Sequence, residues 1–163
     1  MKRTTRIFFS LCLVMVAGLA FTGCGGKDDP APDNKKATFK FTITVAGADN
    51  QDQVDVRVSA GNHDASQYGS PVWKINGVTQ GNENVMILDI DNFVGGVKTY
   101  VVETVKPYNF SGLSVGVVNN AQAPGAVTIS YKAEVDGQVE TNVQNVATAA
   151  SQSYNKEYTY VAK

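Results

Sequence analysis

The stretch KATFKFTITV, Lys36 to Val45, alternates without a fault. Phe39, Phe41, Ile43 and Val45 fall on one face, and Thr38, Lys40, Thr42 and Thr44 fall on the other. Successive side chains of an extended chain point to opposite faces, so this period specifies a strand with one dry face and one wet one. Such a strand needs neighbours for its backbone hydrogen bonds and a second layer over its apolar face. The pattern recurs at Val54, Val56 and Val58, at Met86, Leu88 and Ile90, and at Leu113, Val115 and Val117. In KTYVVETV apolar residues fall on both faces, which leaves the orientation of Tyr100 and Val102 open. Turn signals punctuate the runs at Gly47, Gly61-Asn62, Asn76-Gly77, Gly81-Asn82, Gly95-Gly96 and Asn119-Asn120. Short alternating runs with this punctuation predict an all-β fold, an antiparallel sandwich of roughly seven to nine strands over residues 37–163.

One hairpin can be taken to its register. AVTISYKAEV turns Val127, Ile129, Tyr131 and Ala133 inward, and QVETNV turns Val139 and Val143 inward. A two-residue turn at Asp136-Gly137 would set the two apolar faces against each other. A three-residue loop, Val135 to Gly137 with Gly137 left-handed in a bulge, brings them into phase. It pairs Glu134 with Gln138, Lys132 with Glu140 and Ile129 with Val143, so this loop is the expected one. The three late tyrosines, Tyr154, Tyr158 and Tyr160, share one face of the last strand.

PVWKINGV places Trp73 and Ile75 on one side, Lys74 on the other, and a tight turn at Asn76-Gly77. VMILDI and VGGVKTYVVET follow. A Trp strand, a turn, an alternating Leu strand and a Gly-led Tyr strand resemble the middle strands of bacterial immunoglobulin-like and PKD-like sandwiches, over Pro71 to Thr104. The resemblance is one of core positions, and it implies a buried Trp73. The antibody-type disulfide is absent. A transthyretin-like sandwich, as in some lipoprotein fimbrial subunits, is the alternative.

The N-terminus sets the address. Lys2, Arg3 and Arg6 precede an uncharged apolar run, Ile7 to Ala20, of signal-peptide length and short for a bilayer span. Thr22 and Gly23 then lead into Cys24. This order resembles the lipobox of bacterial lipoproteins, although Phe21 stands where Leu, Val or Ile is usual. The resemblance implies cleavage after residue 23 and acylation of Cys24, which would anchor the protein to a membrane through its lipid. Cys12 would leave with the signal peptide, so the mature chain could form no internal disulfide. Residues 24–36 contain no large apolar side chain and read as a disordered tether. Lys27, Asp28 and Asp29 resemble the Lys/Asp-rich tag that sends some Gram-negative lipoproteins to the outer face of the outer membrane.

Charge narrows the partners. Loss of the signal peptide would remove three of 14 basic residues and none of 15 acidic ones, leaving four acids in excess. An acidic surface without a basic block argues against nucleic acid. Chemistry is sparse. His63 is the one histidine and lacks the partners for a zinc site or a triad. Asp89, Asp91 and Asn92 cluster at a strand end and could hold a Ca²⁺ with backbone carbonyls, but the spacing fits no EF-hand loop, and solvated loop acids are the expected reading. Glu103 and Glu134 are distant in sequence, and nothing in it joins them as a catalytic pair. No cofactor motif follows a strand.

Aromatic residues in loop-like sequence remain: Tyr68, and Tyr108 with Phe110 in KPYNFSG. Exposed loop aromatics stack on sugars or anchor protein contacts. The alternative is that these three pack over the end of the sandwich. The expected function is a non-enzymatic binding module for glycan or protein, with them as the candidate ligand residues. A structural subunit of an envelope or fimbrial assembly, joined through a sheet edge, is the alternative.

Overall fold

The computed structural model describes residues 34–120, 122 and 125–163. The predicted signal peptide, Cys24 and the Lys27-Asp28-Asp29 tag lie outside these residues. Ten strands and one helical turn follow in order: β1 (Phe39–Ala46), β2 (Gln53–Gly61), β3 (Trp73–Ile75), β4 (Val78–Thr79), β5 (Val85–Asp89), α1 (Ile90–Phe93), β6 (Lys98–Thr104), β7 (Phe110–Val118), β8 (Val127–Val135), β9 (Gln138–Thr148) and β10 (Ser153–Val161). They form two antiparallel sheets, ordered β4-β3-β6-β1-β8-β9 and β10-β7-β2-β5. The fold class is the expected one. Strands β3 and β4, three and two residues long, take the count to ten.

The alternating runs do what their period demands. Phe39, Phe41, Ile43 and Val45 of β1 are buried, as are Val54, Val56 and Val58 of β2 and Leu113, Val115 and Val117 of β7. With Ile129, Tyr131 and Ala133 of β8 they fill the space between the sheets. Trp73 is fully buried, packs near Phe41 at a ring distance of 6.3 Å, and donates its indole N–H to the Asn84 carbonyl. On β6 it is Val102 that is buried, and Tyr100 is half-exposed, packing edge-on against Phe93. The late tyrosines tie the layers together. The Tyr131 hydroxyl lies 2.7 Å from that of Tyr154 and 2.8 Å from that of Tyr158, and Tyr160 donates to Thr141 Oγ1.

Two expectations are corrected. Ile90 does not continue β5: Asp89 ends the strand and caps α1, accepting from the Asp91 N–H, while Asn92 Oδ1 accepts from the Asp89 N–H. The β8–β9 hairpin closes with a two-residue turn, Val135 opposite Gln138. Asp136 (φ 48°) and Gly137 (φ 78°) are both left-handed, the combination that matches strand twist. The phase conflict is resolved inside the strand. Glu134 pairs with Val139 and Ala133 with Thr141, so Glu140 is the extra residue of a bulge. Tyr131, not Ile129, therefore faces Val143, Lys132 faces Asn142, and Val139 is exposed. Thr38, just before β1, holds the turn, donating through N–H and Oγ1 to Asp136 Oδ1.

Candidate functional site

The three predicted aromatic ligand residues do not share a surface. Tyr108 is fully buried, and its backbone exchanges two 2.8 Å hydrogen bonds with Ala37. It is a core residue, and the reading of it as a surface contact is corrected. Pro107 and Asn109 make the local sequence loop-like, but the bridge to Ala37 draws the ring inside. Phe110 opens β7 and is half-buried beside the exposed His63, ring centres 5.7 Å apart. Tyr68 is 64% exposed. Its loop is pinned by polar groups: the Asn62 N–H donates to Gln67 Oε1, Asn62 Nδ2 to Ser66 Oγ, and the Asn109 N–H to Asn62 Oδ1. Ser66 also donates to Asp64, and this holds the Asp64 carboxyl below the usual carboxylate range.

Other sequence candidates find structural roles. Asp89 and Asn92 are engaged in the helix cap, and among the described residues no three His, Cys, Asp or Glu side chains gather as metal ligands. Glu103 and Glu134 are brought together, on the outer face of the six-stranded sheet. They flank Lys40, which pairs with both across the ladder, and Lys74 pairs with Glu103 in turn. The row reads plus, minus, plus, minus, and it lines a depression of about 290 Å³. Lys132 Nζ also lies 3.0 Å from Glu134 Oε2, close but not aligned for a hydrogen bond. A lysine standing between the two carboxylates in the register makes this row a cross-strand charge ladder and not an adjacent carboxylate pair.

The most developed surface feature was not anticipated. On the outer face of the four-stranded sheet, register places three rows side by side: Val85, Ser59, Gly112 and Thr159; Ile87, Arg57, Ser114 and Glu157; Asp89, Asp55, Gly116 and Asn155. The residues contributed by β7 are Gly112, Ser114 and Gly116, the smallest available, so the sheet is low along that strand. Two depressions, of about 320 and 400 Å³, share Arg57, Ser114 and Glu157 and form one trough. A Cβ at Gly112 would come within 2.8 Å of Ser59 Oγ, so a larger residue there would have to displace the Ser59 hydroxyl.

The trough has polar walls and one aliphatic rim. Arg57 donates through Nε and Nη2 to both oxygens of Asp55, at 2.7 and 2.8 Å. That hydrogen-bonded guanidinium holds the Asp55 carboxyl below its usual range. Ser59, Ser114, Asn155, Glu157 and Thr159 add donors and acceptors, and Val85 lines the β5 side, with Ile87 next to it on the same face. The signal was present in SGLSVGVV: the positions between the buried Leu113, Val115 and Val117 carry almost no side chain.

No family model matches the sequence, and no curated protein matches it. Solved structures share the fold. A DUF4425 family protein from Bacteroides ovatus ATCC 8483 has 12% identity and a TM-score of 0.54, over 77% of this chain and 95% of that one. A protein from Parabacteroides distasonis, solved by NMR in its calcium-bound form, has 16% identity and a TM-score of 0.57, over 80% of this chain and 98% of that one.

Proposed function

We propose that this chain is a lipoprotein, anchored through Cys24 and displayed on the outer membrane, whose sandwich is a non-enzymatic binding module. The ligand site moves from the loop aromatics to the trough along β7. The trough carries this reading because small residues on a central strand, Gly112, Ser114 and Gly116, are framed there by hydrogen-bonding groups of both kinds. Its charges nearly balance, with Arg57 between Asp55 and Glu157, so it suits an extended, polar, largely uncharged ligand such as a glycan chain or a peptide strand. Filling the trough at Ser114, which faces outward from β7, tests it. The full chain and its Ser114→Trp variant are compared on a glycan array and in capture of peptides from a displayed random library. Ligands retained by the unmodified protein and lost by Ser114→Trp are the expected result, and the array that responds tells glycan from peptide. Equal retention by both proteins overturns the trough as the site.

A further inference from the structure

The sandwich has four sheet edges, and three are protected against pairing with another chain. Strand β4 is two residues long, β9 is broken by two register shifts, and β10 places Lys156 among the tyrosines of its inner face. Short edges, bulges and inward-pointing lysines are the usual devices against edge-to-edge association. Strand β5 has none of them. Val85 to Asp89 pairs with β2 in unbroken register, without proline or bulge, and Val85, Met86, Ile87 and Leu88 form a wholly apolar run. Val85 and Ile87 are 42% and 49% exposed.

The hydrogen-bond phase of this edge can be read. The Ala60 N–H donates to the Asn84 carbonyl, so Ala60 and Asn84 form a hydrogen-bonded pair. Ser59 and Val85 are then a non-bonded pair. Consistently, the Ser59 carbonyl is turned the other way, to accept from Ser111 Oγ on β7. Alternation directs the N–H and C=O of Val85 and of Ile87 off the sheet. The Asp89 N–H, next in this series, is already given to Asn92 Oδ1. The free edge thus offers two donors and two acceptors, on residues two apart.

We infer that β5 pairs with β5 of a second copy of this chain, antiparallel about a two-fold axis at Met86. In that register Val85 of each copy faces Ile87 of the other. The four backbone bonds so formed use each of those free groups once, and the Asp89 N–H is not called on. Val85 and Ile87 of both copies meet on the outer face, and the two sheets become one of eight strands. The contact is isologous, so it closes at a dimer and does not propagate. The two ends of the seam set Glu83 of one copy against Asp89 of the other, so the association weakens at low salt. An edge of this length buries much less than the roughly 1,200–2,000 Å² of a stable interface, so pairing is concentration-dependent.

Sedimentation of the full chain from micromolar to near-millimolar concentration tests this. A reversible dimer is expected, strengthened by added salt and weakened about tenfold or more by Ile87→Lys, which sets an ammonium in the seam. Register is tested by oxidation. Non-bonded antiparallel pairs hold Cα atoms about 4.5 Å apart, within disulfide reach. Met86→Cys should therefore cross-link two chains and Val85→Cys should not, each measured above the unmodified protein to account for its own cysteines. A monomer at every concentration overturns the inference, as does a dimer indifferent to Ile87→Lys. Weakening by salt, or equal cross-linking at both positions, overturns the register.

Discussion

Tyr108 and Trp73 are both fully buried, yet opposite local signals surround them. Trp73 and Ile75 stand on either side of Lys74 in a strand-like run, whereas Tyr108 sits between Pro107 and Asn109. Burial, not local sequence, sets the cost of removal. Trp73→Ala and Tyr108→Ala should each destabilise the domain by about 3–5 kcal/mol in chemical denaturation, the range for large core aromatics. Tyr108→Phe should cost little, because the phenol makes only a long bond, 3.4 Å, to the Pro71 carbonyl. A stable Tyr108→Ala variant would return that ring to the surface. The buried phenols also make a pH prediction. Burial raises Tyr131, helped by its bonds to Tyr154 and Tyr158, and burial raises Tyr108 and Tyr160 above the ordinary 10.0. Below that value the phenols are neutral in the folded and the unfolded chain, and stability is whole. Above it the unfolded chain ionises first, so stability falls as pH rises beyond about 10. Denaturation midpoints measured from pH 8 to 11 should show that fall, with a shallower slope in Tyr131→Phe.

At the scale of elements, the bulge in β9 and the unbroken pairing of β8 make contrasting demands. Glu140 is the surplus residue of the bulge next to the turn, so deleting it leaves the ladder regular from the turn to Tyr131, with Val143 still facing it and the second shift beyond Tyr131 untouched. What is lost is an exposed ion pair, Glu140 with Lys163 at 2.8 Å, and surface pairs contribute about 1 kcal/mol or less. Lys132 is also an outward side chain, but β8 is paired with β1 residue for residue on its other side. Deleting Lys132 turns one part of β8 inside out. The Glu140 deletion should fold and the Lys132 deletion should not, by circular dichroism and cooperative unfolding. The same contrast explains what could be read in advance. The inward faces of β1, β2, β7 and β8 follow from a period of two, which needs no partner to be recognised, and Asn76-Gly77 announces its own turn through two left-handed residues. The β8–β9 register could not be read the same way. The phase correction can sit in the turn or anywhere along the strand, and both choices satisfy the alternation. Tyr108 failed for a related reason, since Ala37 acts on it from a distant part of the chain. The trough was legible in part: Gly112, Ser114 and Gly116 stand on one face of a single strand, but their neighbours Arg57, Glu157 and Asn155 belong to other strands and meet only through register.

For the whole molecule, the proposed anchor and the proposed site have to work without interfering. Asn109 gathers the chain ends at one pole of the sandwich: its Nδ2 donates to the Lys35 carbonyl, and its own carbonyl accepts from the Ala162 N–H. The trough runs from that pole, at Phe110 and Val161, toward Val118 and Ser153 at the other. An anchor at Cys24 would be joined to the domain at Lys35 through residues 24–34, which can span at most about 40 Å. The two functions should separate by mutation. Cys24→Ala should abolish acyl labelling and move the protein from the membrane to the soluble fraction, with its melting temperature and trough ligands unchanged. Ser114→Trp should do the reverse, staying in the membrane and losing the ligand. Replacing Lys27, Asp28 and Asp29 together with Ala should leave both properties intact and protect the domain from protease added to whole cells, provided the unmodified protein is cleaved there. An N-terminus other than acylated Cys24 by mass spectrometry would remove the anchor from this scheme. Loss of ligand binding in Cys24→Ala would mean that the trough works only at a membrane, because the variant leaves the domain from Asn34 onward untouched.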